Sequence, residues 1–372
     1  MMRWTLLAVL STLLIFSACR KDEIVTTDSS AMLTFSADTV LFDTVFTTIG
    51  SATQILKVYN NNSNAVNVSS ILLDEGSSSS YRINVDGEPG TSFSDIEIPG
   101  NDSIFIFVEV TIDPNNLNNP LIDEDELVFM TNGNEQVVKL VAWGQDAHFY
   151  YPTNQLQGLP DFTCLDGDCL NGAGFIEETW FPDKPYVIFG YLILDSLDHL
   201  TIEAGVQIYF HEGSGLWVFE DGQLTVNGTA ENPVVFQHDR PEPLYDDLPG
   251  QWDLIRINEG PLGRDNVLNH AIIKNSILGI QAQPLVLTEA DLFKPTSANR
   301  LELNNCIIQQ SSSLNLFARN YRIEAKNSLF ANAGQYTCGI TGGGSYEFQH
   351  CTFGNYWVFG TRTTPSFFMT NV

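Results

Sequence analysis

Between Leu200 and Asn355 the sequence repeats one short pattern: a few apolar and β-branched residues, a small residue or Asn, then a polar stretch. Copies begin at Leu200 (LTIEAGVQIYF), Leu224 (LTVNGTAENPVVF), Asn269 (NHAIIKN), Asn304 (NNCIIQQ), Lys326 (KNSLFAN) and Gln349 (QHCTFGN). Steps of roughly 22 to 26 residues suit a stacked β coil, and the two longer intervals are assigned to loops. Aligning the later copies puts Ala271, Cys306, Ser328 and Cys351 in one column and Ile273, Ile308, Phe330 and Phe353 in a second. A third column holds Asn275, Gln310, Asn332 and Asn355. In stacked coils apolar columns fill the interior, and Asn or Gln form hydrogen-bonded ladders at corners. Cys306 and Cys351 are thereby assigned to packing rather than chemistry. Cys338, beside Gly339, is placed in a loop.

From about Met32 to Ala147 the pattern changes to short alternating runs between turn residues, which predicts a β-sandwich. Its expected strands are Thr34 to Phe42, Gln54 to Asn60, Val66 to Leu73, Ser103 to Ile112, Glu126 to Thr131 and Gln136 to Trp143. Pro99-Gly100-Asn101 and Asn132-Gly133-Asn134 are among the turns that separate them. Residues 148–194 are expected to be a linker and an N-terminal cap region, and residues 195–372 the stacked coils. The chain reads as all-β, with no sustained apolar period of 3.6 residues.

The first 18 residues form a targeting segment. Arg3 gives a basic start, and the apolar run Leu6 to Phe16 has the length of a signal h-region but not of a membrane span. Phe16-Ser17-Ala18-Cys19 resembles the lipobox of bacterial lipoproteins, with Phe16 standing where Leu is usual. That resemblance implies a diacylglycerol on Cys19. Lys21-Asp22-Glu23 resembles the export signal of Bacteroidetes-type surface lipoproteins, and residues 19–31, closing on Ile24 to Ala31, are expected to be a flexible tether. The net charge of −28, from 17 Lys+Arg against 45 Asp+Glu, repels phosphate backbones, so nucleic acid is not an expected partner.

Two further resemblances sharpen the architecture. LKVYNNNSNAVNVSSI from Leu56, IPGNDSIFIFVEV from Ile98 and LVFMTNGNEQVVKLVAWG from Leu127 resemble the immunoglobulin-like (Ig-like) domains of the abnormal-spindle and hydin type. This implies a module for presentation and interaction. LTIEAGVQIYF, GQLTVNGTAENPVVFQHD and LPGQWDLIRI resemble the opening coils of right-handed parallel β-helices of the pectin-lyase-like class, whose members touch, and sometimes cleave, polysaccharide.

Candidate chemistry lies where the repeat is interrupted. His238, Asp239, Arg240, Glu242, Tyr245, Asp246, Asp247, Trp252, Asp253 and Arg256 form the densest polar constellation. His238, Asp239, Arg240, Tyr245, Asp246 and Trp252 are its candidate binding residues. Asp253, Arg256 and Asp247 are the candidates for catalysis, an Arg between carboxylates serving as base or sugar clamp. Trp252 also belongs to the GQWDLIRI phrase, where its alternative role is to pack a coil. The Asn-Thr-Asp, Gly-Asp-Asp, Gly-His-Gly and Arg-Ile-Lys motifs of polygalacturonase-like hydrolases do not occur. Pectate-lyase-like enzymes use Ca²⁺ held by clustered carboxylates, whereas here the acids are scattered. No cofactor is expected, with Ca²⁺ entering only under a lyase reading. Cys164 and Cys169 bracket Leu165-Asp166-Gly167-Asp168 and suit a small disulfide loop; the alternative, a metal site, lacks a nearby His.

These readings predict an outer-membrane lipoprotein, exposed at the cell surface. Its expected role is non-catalytic, in adhesion, glycan binding or envelope scaffolding, with a polysaccharide or a cell-surface protein as partner. The alternative is a polysaccharide lyase or glycoside hydrolase acting on an acidic polysaccharide. The apolar run Phe367-Phe368-Met369 is expected to be an uncapped strand, continued by further chain or covered by a partner.

Overall fold

The computed structural model describes residues 24–47, 50–113, 121–167, 169, 175–240, 245–260, 263–286, 288, 291 and 295–371. The leader, Cys19, the charged run after it and Glu242 lie outside these residues. The chain is all-β, with no α-helix among the described residues. It divides into two compact units, Met1–Gln145 and Asp146–Val372.

In the first unit two sheets share one core. Alternation builds it: along Asp102–Val110 the buried positions are Ile104, Ile106, Val108 and Val110, while their neighbours face outward. The hairpin from Leu121–Thr131 to Asn134–Gln145 turns on Asn132 and Gly133, with φ of 49° and 82°. Positive φ at both central residues is the type I′ geometry that matches strand twist, and Asn-Gly accommodates it. The strands Tyr81–Val85 and Ser92–Ile98 were not anticipated from the sequence. Ile24 to Ala31 is not the flexible stalk expected there. Val25 and Thr26 pair with Ala65 and Val66, and the Asn132 and Asn134 side chains donate to the carbonyls of Asp28 and Ser29. Ala31 is buried in the core.

The second unit is built from parallel ladders. One sheet stacks His148–Tyr150, Tyr186–Ile188, Gln207–Phe210, Val234–His238, Ala271–Lys274, Ile307–Ser311, Leu329–Ala333 and Thr352–Gly354. A larger sheet holds two more ladders, one running through Tyr191–Leu194, Gly215–Val218, Trp252–Ile257 and Ser276–Ala282. The other runs through Glu177–Trp180, His199–Glu203, Gln223–Asn227, Asn266–Asn269 and Arg300–Asn304. From Tyr186 onward the chain visits the three ladders in turn, so each return adds one strand to each. The register stacks Ile273, Ile308, Phe330 and Phe353 as the sequence columns require.

Corners are made by left-handed residues. His270, Asn305, Asn327 and His350 have φ of 47°, 56°, 50° and 53°, each just before a strand of the first sheet. Asn275, Gln310 and Asn332 make the next corner, with φ of 67°, 57° and 56°. Asn tolerates this conformation because its short polar side chain bonds locally.

Three expectations are corrected here. Residues 148–194 are not merely linker and cap, since the ladders begin at His148. The third column is not a side-chain ladder, because Asn275 donates to loop carbonyls and Asn355 to the carbonyl of Ala333. Cys338 lies in the strand Tyr336–Gln349 and is fully buried, not in a loop. Cys306 is equally enclosed, and burial pushes its thiol up to about 12, which leaves it inert.

Candidate functional site

The interrupted stretch of the repeat separates into four environments. Trp252 belongs to the core: it is fully buried, its ring stacks on Phe210 at 4.2 Å, and its indole N–H donates to the Lys274 carbonyl at 2.8 Å. A sugar cannot reach it, so its candidacy as a binding residue is withdrawn. An irregularity between Leu254 and Ile255 breaks the alternation of its strand, so Trp252 faces inward together with Ile255 and Ile257.

Asp253 and Arg256, on the same strand, meet partners from the two preceding coils. The Tyr191 hydroxyl donates to Asp253 Oδ2 at 2.8 Å. Burial and that carboxylate hold the Tyr191 hydroxyl well above its usual range, so it stays protonated. Arg256 pairs in register with Trp217, and its guanidinium lies 4.9 Å from the Trp217 ring centroid. Its Nε is buried without a hydrogen-bond partner among the described residues. The Trp217 indole donates to Asn258 Oδ1 at 2.7 Å. Cys164, Tyr191, Ile193, Trp217 and Leu285 form a small apolar cluster here, beside the Cys164–Cys169 disulfide, whose Cα atoms are 5.3 Å apart.

Asp246 and Asp247 stand on the loop outside both sheets. Asp246 Oδ1 lies 3.8 Å from Lys274 Nζ, and Asp247 accepts from the Gln310 amide. Asn275 holds this loop, its Nδ2 donating at 2.9 Å to the carbonyls of Asp246 and of Leu248.

The remaining residues make a cleft at the corner between the first sheet and the strand Trp252–Ile257. It has a volume of about 250 Å³ and is lined by His211, Glu212, His238, Asp239, Arg240, Tyr245, Gly250 and Gln251. His238 continues the inward column above Phe210. Its Nδ1 accepts from the Arg240 backbone N–H at 2.9 Å. Burial, aided by nearby Lys274, lowers its pKa to about 4, so it is neutral at physiological pH. Asp239 is buried and takes His211 Nδ1 at 2.7 Å. That hydrogen bond raises the His211 pKa above its ordinary value against the opposing effect of burial. The Phe189 ring lies 4.8 Å from His211, and the Arg240 guanidinium 5.6 Å from the Tyr245 ring.

His211 was not among the residues singled out from the sequence. It sits in a polar His-Glu-Gly corner, and its partner Asp239 is 28 residues away. Only the register that sets Phe210 beside His238 brings them together. Among the described residues, no three His, Cys, Asp or Glu side chains are grouped to hold a metal ion.

No protein-family model matches the sequence, and none of the curated proteins matches it. Among solved structures, it is similar to a family 123 glycoside hydrolase from Clostridium perfringens that acts on glycolipid glycans, at 12 % identity and a TM-score of 0.22. That match covers 31 % of this chain and 26 % of the hydrolase, so this chain spans about a quarter of that protein's length. It is also similar to the seventh PapD-like domain of human CEP192, at 10 % identity over 34 % of this chain and 91 % of the domain, with a TM-score of 0.21. The periplasmic chaperone SfaE matches at 11 % identity over 30 % of this chain and 57 % of its own, also at 0.21. Scores this low carry no argument about fold or function.

Proposed function

We propose that the chain is a surface-exposed outer-membrane lipoprotein of Bacteroidetes type, anchored through Cys19, which binds glycan without cleaving it. In this reading the first unit is an Ig-like β-sandwich and the second a right-handed parallel β-helix. The two sheets over one core and the ladders visited in turn support these finer assignments, as do the sequence resemblances. The anchor rests on the leader and its Cys19 alone.

One observation carries the binding reading. The three side chains singled out for catalysis are already engaged, while a small mixed polar and aromatic cleft remains open beside them. Asp253 is bonded to Tyr191, Arg256 lies on Trp217, and Asp247 is bonded to Gln310. The cleft offers groups that a sugar can use: amide, imidazole and guanidinium for hydroxyls, and the aromatic ring of Tyr245 beside them.

A second reading, polysaccharide lyase or hydrolase, is favoured by the His211–Asp239 pair. A buried carboxylate holding Nδ1 fixes the tautomer and leaves Nε2 of a half-exposed imidazole to act as a base. Incubation with uronic-acid polysaccharides, with and without Ca²⁺, separates the two. The proposal expects retention of polymer on the protein with no new chain ends. Cleavage that is lost in Asp253→Ala, Arg256→Ala or His211→Ala would replace it with the enzymatic reading.

A further inference from the structure

Cations are scarce in a chain with 17 Lys+Arg against 45 Asp+Glu. Arg300 meets Asp265, Glu302 and Glu324, and Arg82 and Arg322 donate to backbone carbonyls. Arg240 has neither kind of partner among the described residues. Its guanidinium rests near the face of Tyr245 and makes no ion pair among the described residues, although two carboxylates line the same cleft. Of these, Asp239 is committed to His211, and Glu212 is exposed, where water and salt screen it.

A guanidinium held near an aromatic face by cation–π attraction keeps its N–H edges free for other partners. Those edges form a fork that matches the two oxygens of a carboxylate or of a sulfate ester. The site is small. Its volume of about 250 Å³ lies just under the roughly 300–1,000 Å³ of sites for drug-sized ligands, a size that suits contact with one sugar ring. Gln251, on the same lining, supplies both an amide donor and an acceptor.

We infer that this corner cleft captures a single terminal sugar residue bearing an anionic substituent, with Arg240 pairing the anion and His211 and Gln251 bonding ring hydroxyls. The inference rests on the glycan-binding reading and narrows it to a chain end and a charge.

Titration calorimetry of the purified full-length protein with methyl glucuronide, glucose 6-sulfate and methyl glucoside tests it. At least one anionic probe is expected to bind about tenfold or more tightly than the neutral glucoside. Binding by glucuronide assigns the anion to a carboxylate, and binding by the 6-sulfate assigns it to a sulfate ester. Arg240→Gln is expected to abolish the preference and Arg240→Lys to restore part of it, while Arg82→Gln in the first unit leaves it intact. Equal binding of neutral and anionic probes, or a preference that survives Arg240→Gln, overturns the inference and leaves glycan binding standing. Absence of binding to every neutral and anionic glycan on an array overturns both.

Discussion

His211 and His238 stand in neighbouring coils, and their environments displace them in opposite directions. His211, bonded to Asp239, holds its proton more tightly in the folded state, so its contribution to stability is full below its ordinary value of about 6.5 and is lost as pH rises through its raised native value. His238, buried and held to about 4, acts the other way: the unfolded chain binds the proton first, so stability falls as pH drops from about 6.5 toward 4. Together they predict greatest stability near the ordinary imidazole value. Urea midpoints measured across this range should show His211→Gln flattening the alkaline limb and His238→Gln the acid limb; a profile that neither variant alters would contradict the assignment. The sequence displayed His238, Asp239 and Arg240 as adjacent polar residues but gave no sign that His238 points inward. Their separation depends on alternation along Val234–His238, where the first, third and fifth residues are buried. His211 stayed hidden because a pairing between coils leaves no mark in either local sequence.

At the scale of elements, strands and corners differ in how openly they are written. The column Ile273, Ile308, Phe330 and Phe353 was readable because four coils of similar length repeat it. The coils before Asp195 were not, since strands such as Phe162–Cys164 and Tyr186–Ile188 lack the Asn or Gln column of the later copies and are flanked by Pro160, Pro185 and Gly190. Asn275 shows what a corner residue does beyond turning the chain. Its φ is 67°, and its amide holds the carbonyls of Asp246 and Leu248. Asn275→Ala loses those bonds and puts a Cβ-bearing residue without local bonding into the left-handed region, at a cost of about 2 kcal/mol. Hydrogen exchange should quicken around Leu248 and stay unchanged in the first unit; unchanged exchange at Leu248 would remove Asn275 as the anchor. The Cys164–Cys169 loop is short, so the chain-entropy account gives its loss about 2 kcal/mol. Cys164→Ser with Cys169→Ser should lower the unfolding midpoint of the second unit, and reductant should do the same to the wild type. No shift in either would show that the loop adds nothing to stability.

Across the whole molecule, composition and site answer different questions. A net charge of −28 sets the chain against phosphate backbones, yet Arg240 and Arg256 are held on aromatic rings rather than on the abundant carboxylates. The all-β architecture follows from patterning that runs the length of the chain, which is why it was legible. The cleft was legible only as a region, because it is assembled from four separated stretches around His211, His238, Tyr245 and Gln251. The central claim, binding without cleavage, is tested most directly by following polymer retention and product formation in one incubation of the full-length protein with an acidic polysaccharide and Ca²⁺. The account predicts polymer held on the protein, with no unsaturated or reducing ends released. Release of such ends, abolished by His211→Ala or Arg256→Ala, would contradict it.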